Sequence, residues 1–179
     1  YKIKPIYLDT NVGDFGGTKV GYENLDEDCE YTMQWDNDYP PLTEYFLRDM
    51  VKIMDNFPKI GQLMLKRNGV GTILQLRNKF EWEGFVLGDV DLITCVNMHR
   101  RKVVDEINFW VVDESTYWDF QLNAKMKERG YELKKVENIR TVHIDCYPQI
   151  SYQPIKYPIY FKNKGKNGKI NFNTTNYND

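Results

Sequence analysis

The sequence predicts an α+β domain: a mostly antiparallel sheet of about five to seven strands, two amphipathic helices on one face, and extended polar terminal arms. Three observations carry that expectation. The stretch from Val70 to Val112 alternates apolar and polar residues with a period close to two, which is strand spacing. Leu42 to Asn56 and the residues following Thr116 instead place apolar side chains at steps of three and four, which is helix spacing. Connections between the strand-like runs are short, and short connections favour antiparallel neighbours, because a parallel pair needs a crossover of roughly a dozen residues or more.

In chain order, Lys2 to Leu8 fits a short edge strand, and the remainder of the first segment is glycine-punctuated and loop-like. Glu30 to Trp35 alternates cleanly, with Tyr31, Met33 and Trp35 predicted to face inward. The first helix spans about Leu42 to Asn56, its stripe made of Leu42, Phe46, Met50, Ile53, Met54 and Phe57, and Pro58 closes it. Ile60 to Leu65 reads as a strand leading to a turn at Arg67-Asn68-Gly69. Within the central stretch, a strand through Phe80 to Leu87, a turn at Gly88-Asp89, a strand from Val90 to Val96, a polar hairpin loop at Asn97 to Lys102 and a strand from Val103 to Val112 are expected. The second helix starts at Ser115 or Thr116, buries Trp118, Leu122 and Met126, and stops at Gly130. Tyr131 to Val136 and Arg140 to Cys146 are strand-like. Pro148, Pro154 and Pro158 then punctuate a tyrosine-rich segment, excluding a central strand and favouring an edge or an arm on a surface. Residues 1–161 are therefore expected to form one domain with an acidic first segment, and 162–179 a flexible Lys/Asn-rich tail.

Composition narrows the function classes. A length of 179 residues permits a sizeable core, and a formal charge of −2 argues against a dedicated nucleic-acid binder. Cys29, Cys95 and Cys146 are odd in number, widely spaced and without a CxxC pair, so neither a disulfide framework nor a zinc site is expected. Reduced thiols point to an intracellular or virion location, and no apolar run approaches the ~18 residues of a membrane span. The chain opens on Tyr1 rather than Met, as a processed or partial sequence would. Residues 1–39 carry nine acidic against three basic side chains, whereas the residues from Tyr147 onward carry five lysines and one aspartate. Such opposite ends can meet each other or a neighbouring copy.

Asp89-Val90-Asp91 is the sharpest chemical feature. Carboxylates at i and i+2 of a strand share a face, where they repel unless a cation lies between them. The arrangement resembles the paired acids of nucleotidyltransferases and sugar transferases, and that resemblance implies Mg²⁺ or Mn²⁺ held against phosphates; Asp105, Glu106 or Asp145, each in a predicted strand that could be a neighbour, is the expected third ligand. The Gly-Ser pair and helix of the first family do not precede it, nor does the nucleotide-binding βαβ unit of the second. The structural alternative makes Asp89 a turn residue and Asp91 an exposed strand position. Glu81 and Glu83 form a similar pair, explained by the wet face of a half-buried strand. Asp14 to Lys19 resembles, over six residues, the phosphate turn of sugar kinases with the actin-like fold. That turn joins two apolar strands, and Tyr7 to Val12 is too polar to be one. His99 lies in the basic run His99 to Lys102, a predicted anion contact or a solvated tip, and His143 shares a strand face with Asp145, as an acid–base or a structural pair.

The expected function is a non-enzymatic structural or interaction component of a larger assembly, such as a virus, phage or multi-subunit particle, without a cofactor. It would bind protein partners or copies of itself through Tyr147, Tyr152, Tyr157 and Tyr160 of the arm and through Asp26 and Asp28 of the acidic segment. The alternatives are a divalent-metal-dependent phosphoryl, nucleotidyl or glycosyl transferase using Asp89 and Asp91, and an acidic inhibitor or immunity-type protein.

Overall fold

A computed structural model describes residues 5–10, 12–68, 75–108 and 118–143. In chain order the elements are α1 (Gly13–Glu23), β1 (Tyr31–Gln34), α2 (Phe46–Asn56), β2 (Ile60–Asn68), β3 (Arg77–Trp82), β4 (Phe85–Asp89), β5 (Asn97–Arg100), α3 (Arg101–Glu106), α4 (Trp118–Glu128) and β6 (Glu132–Val142). Among the described residues the six strands form one sheet in the order β1-β5-β2-β6-β4-β3. All neighbours are antiparallel except β2 and β6, which pair in parallel at the centre. The class is α+β, and the sheet is mostly antiparallel. No helix among the described residues is long and apolar enough to cross a membrane.

The two predicted helices do not share a face. Successive side chains of a strand point to opposite sides, and β2 is apolar on both: Leu63 and Leu65 on one, Met64 on the other. A sheet apolar on both faces needs cover on both. Met50, Ile53 and Met54 of α2 pack with Leu63, Leu65, Leu87, Met98 and Val136. Trp118, Leu122 and Met126 of α4 pack on the opposite side with Met64, Leu133, Val103 and Val104 of α3, and Phe15 of α1.

Several predicted boundaries move for identifiable reasons. α2 begins at Phe46, not Leu42, because Pro41 bridges Thr141 and the Leu42 N–H donates to the Arg140 carbonyl at 2.9 Å, drawing that turn onto β6. β2 runs on through Arg67 and Asn68, which pair with Thr141 and Val142. The expected strand through Phe80 to Leu87 is a hairpin, with Trp82 opposite Phe85 and Glu83 and Gly84 at φ 46° and 80°. Two consecutive positive φ values are the signature of the tight turn that suits strand twist. Residues 90–96 form an irregular segment that still buries Val90, Ile93 and Val96. The polar stretch at Asn97–Arg100, expected as a hairpin loop, is strand β5, and the expected strand from Val103 opens inside α3. Residues 5–8 are not in a strand, and residues 13–23, expected as loop, are helical. Asp14 to Lys19 therefore lies within a helix and not in a strand-to-strand phosphate turn.

Candidate functional site

The carboxylates Asp89 and Asp91 are each held by cations of the chain itself. Asp89 ends β4, where its Oδ1 accepts from Lys134 Nζ at 2.5 Å and its Oδ2 from Asn78 Nδ2 at 2.7 Å. Burial pushes the Asp89 carboxyl up, but the Lys134 ammonium and Asn78 amide outweigh it and hold the group below its ordinary range. Asp91, with a side chain 71% exposed, meets Arg77 at 2.5 Å and Lys127 at 3.8 Å. Asp105 and Glu106 lie elsewhere, accepting from the hydroxyls of Tyr22 (2.7 Å) and Tyr131 (2.6 Å). Asp145 lies outside the described residues, and among those residues no group of three His, Cys, Asp or Glu side chains is placed to hold a metal ion. Glu83 sits in the β3–β4 turn and pairs with Lys52.

The basic run is also engaged internally. Arg100 donates to the Met54 carbonyl at 2.5 Å, near the carbonyl end of α2, and to the Ile60 carbonyl at 3.3 Å. Arg101 Nη1 donates to the Asp26 carbonyl at 2.6 Å and reaches that of Glu27 at 3.4 Å. The acidic segment is thereby fastened to the start of α3 by its backbone, which leaves Asp26 and Asp28 exposed. His143 meets Asp38 at 2.9 Å and stacks on Tyr39 at 4.3 Å. Its partner is thus a residue of the β1–α2 connection. Tyr147, Tyr152, Tyr157, Tyr160 and Cys146 lie outside the described residues.

Two features were not legible as sites. The first is the outer side of β1. This strand is an edge of the sheet, and no further strand pairs with it among the described residues. Beside it lies a groove of about 660 Å³ lined by Tyr31, Met33 and Met98 from the sheet and by Tyr45, Leu47, Arg48 and Val51 at the start of α2. Tyr45 and Leu47 are exposed, as is nearby Leu42. The second is a buried polar layer on the opposite face of the sheet. Register places Thr32, His99 and Gln62 in one cross-strand row and Gln34, Asn97 and Met64 in the next. Gln62 Nε2 lies 3.0 Å from Asn97 Oδ1 and 3.1 Å from His99 Nε2. Burial alone pushes the His99 imidazole down to about 4, so it is neutral at physiological pH.

Known protein families and curated proteins offer no match to this chain. The polar layer could be anticipated from one signal only, the three amide and imidazole side chains Gln62, Asn97 and His99 at alternating positions beside strongly apolar neighbours.

Proposed function

We propose that the protein is a non-enzymatic component of a larger assembly and that it joins its neighbours through the open edge of β1, pairing with the same edge of a second copy. The observation that carries this reading is the coincidence of an unpaired strand with an apolar groove. An edge strand presents backbone donors and acceptors to any strand that approaches, and exposed Tyr45 and Leu47 supply apolar surface where an added strand would lie. Addition of a strand gains affinity from main-chain hydrogen bonds and specificity from side-chain pockets. A two-fold axis makes an antiparallel edge self-complementary. The ionisable groups with the best claim to chemistry, Asp89, Asp91 and His143, serve as partners to Lys134, Arg77 and Asp38, which fits a binding role.

Sedimentation velocity across a wide concentration range tests the proposal. The parent is expected to pass from monomer to dimer as concentration rises, and Tyr45→Asp or Leu47→Glu, both at exposed groove positions, to remain monomeric with an unchanged melting temperature. A parent that sediments as a monomer throughout, or a dimer that survives both substitutions, would overturn it.

A further inference from the structure

A helix packed on a sheet ordinarily fills the space between with apolar side chains. α1 does not. The residues it turns toward β1 and β5 include Gly13, Gly17 and Gly21, one helical face at steps of four. Beneath them lie Thr32, Gln34 and His99 of the polar layer, and the cavity between measures about 440 Å³. The glycines are not there for close approach. A Cβ built on Gly17 or Gly21 meets no heavy atom of the described residues within 4 Å.

The floor of this cavity has unused hydrogen-bonding capacity. His99 is 4% exposed and lines it. Gln62, whose side-chain NH₂ donates to Asn97 Oδ1, also faces His99 Nε2, which assigns that nitrogen as acceptor and places the imidazole proton on Nδ1. Nδ1 has no hydrogen-bond partner among the described residues. Behind His99, and not itself lining the cavity, Gln62 is 1% exposed and its Oε1 is buried with no partner among the described residues. The chemistry of the lining selects the ligand. Among the described residues that line it, Asp36 is the sole acid and no lysine or arginine is present, so a phosphate or carboxylate would enter against charge. The primary amide of Gln34 and the neutral imidazole of His99, both in the lining, offer a donor and acceptor set of the kind that amides present to base edges. The volume falls within the roughly 300–1,000 Å³ of small-molecule sites.

We propose that the slot beneath α1 binds an uncharged, planar heterocycle with adjacent hydrogen-bond donor and acceptor, the chemistry of a nucleobase or nucleoside, between the glycine face of α1 and Thr32, Gln34 and His99 on the sheet. The site is distinct from the groove beside the β1 edge: α1 covers the one and the start of α2 the other, although Thr32 and Met33 of β1 line both.

The test uses the full chain, backbone amide NMR, and adenosine, guanosine, cytidine and uridine added singly to millimolar concentration. At least one nucleoside is expected to give saturable shifts at Gly17, Gly21, Thr32 and His99, and its 5′-monophosphate to bind more weakly. Gly17→Leu, which places a side chain in open space, should weaken binding by at least about tenfold while the melting temperature holds or rises. Gly21→Leu is the second variant should the first fail to fold, with the same expectation. Absence of shifts with all four nucleosides, equal shifts with glucose, or affinity unchanged in a folded Gly17→Leu or Gly21→Leu protein would each overturn the proposal.

Discussion

The side-chain amide of Asn123 holds Ile93 by both of its backbone groups: Oδ1 accepts the Ile93 N–H at 2.7 Å, and Nδ2 donates to the Ile93 carbonyl at 2.9 Å. The pairing imitates the exchange between two strand residues, and it comes from the buried face of α4. It gives segment 90–96 partners for its backbone without a neighbouring strand, and it lets Ile93 and Val90 enter the core.

Asn123→Leu, similar in volume, would leave both Ile93 groups buried and unpaired. Each such group costs about 1–3 kcal/mol, so a loss of roughly 2–4 kcal/mol is expected, seen as a fall of several degrees in melting temperature at roughly 2–4 °C per kcal/mol for a chain of this size. Denaturant titration checks it. A change below about 0.5 kcal/mol would mean that the segment stands on its apolar contacts alone.

How far the fold could be read from the chain follows from the same contrast between local and distant partners. α4 was legible because Trp118, Leu122 and Met126 form a stripe whose meaning is local. β5 was not, because the partner that Asn97 and His99 meet is Gln62, 35 and 37 positions away. α1 was not, because four glycines weaken local helix preference, while Phe15 is held by packing against Trp118 and Tyr22 by hydrogen bonding to Asp105, both far along the chain. Among the described residues His143 meets Asp38, 105 positions away, which local spacing does not reveal, while its expected near neighbour Asp145 lies outside those residues. The carboxylates were legible as unusual, but their partners Lys134 and Arg77 were not, since strand order sets who meets whom.

His99 imposes a pH dependence. Its folded value of about 4 lies below the ~6.5 of an unfolded chain. As pH falls below 6.5 the unfolded chain takes up a proton that the native state refuses, so stability is highest above that value and declines down to about pH 4. The decline amounts to roughly 3 kcal/mol. Stability measured at pH 7 and pH 4.5 should differ less in His99→Gln than in the parent by most of that amount. Equal slopes in the two proteins would show that His99 charges freely in the folded state.

The two carboxylates should behave differently. Lys134 has a side chain 10% exposed, and Asp89→Asn would leave it Glu132, at 3.2 Å, as its one carboxylate among the described residues, for an expected loss of about 1–3 kcal/mol at neutral pH. Because the Asp89 carboxyl is held below its ordinary range, its contribution is present above about pH 4 and lost as pH falls through the folded value. Asp91→Asn should cost less than about 1 kcal/mol, as exposed pairs do. Millimolar Mg²⁺ or Mn²⁺ should shift the melting temperature of neither variant nor the parent. A rise in the parent that vanishes in Asp91→Asn would restore the metal-dependent transferase reading.

Glu83 occupies the first central position of the β3–β4 turn at φ 46°, a conformation that costs an ordinary L-residue about 1–2 kcal/mol and that asparagine adopts more readily. Its compensation is the ion pair with Lys52, whose two side chains are more than half exposed, and such a pair is worth about 0–1 kcal/mol. Backbone preference is the larger effect. Glu83→Asn is therefore expected to raise the denaturation midpoint by an amount equivalent to about 0.5 kcal/mol, with no change in the slope of the transition. The gain should grow in high salt, because screening weakens the parent's ion pair and leaves the turn unaffected. Gly84→Ala, at φ 80°, should move the midpoint the other way. If Glu83→Asn lowered stability at low salt and matched the parent at high salt, the Lys52 pair would be the stronger partner, and the turn would owe its shape to the ladder on either side of it.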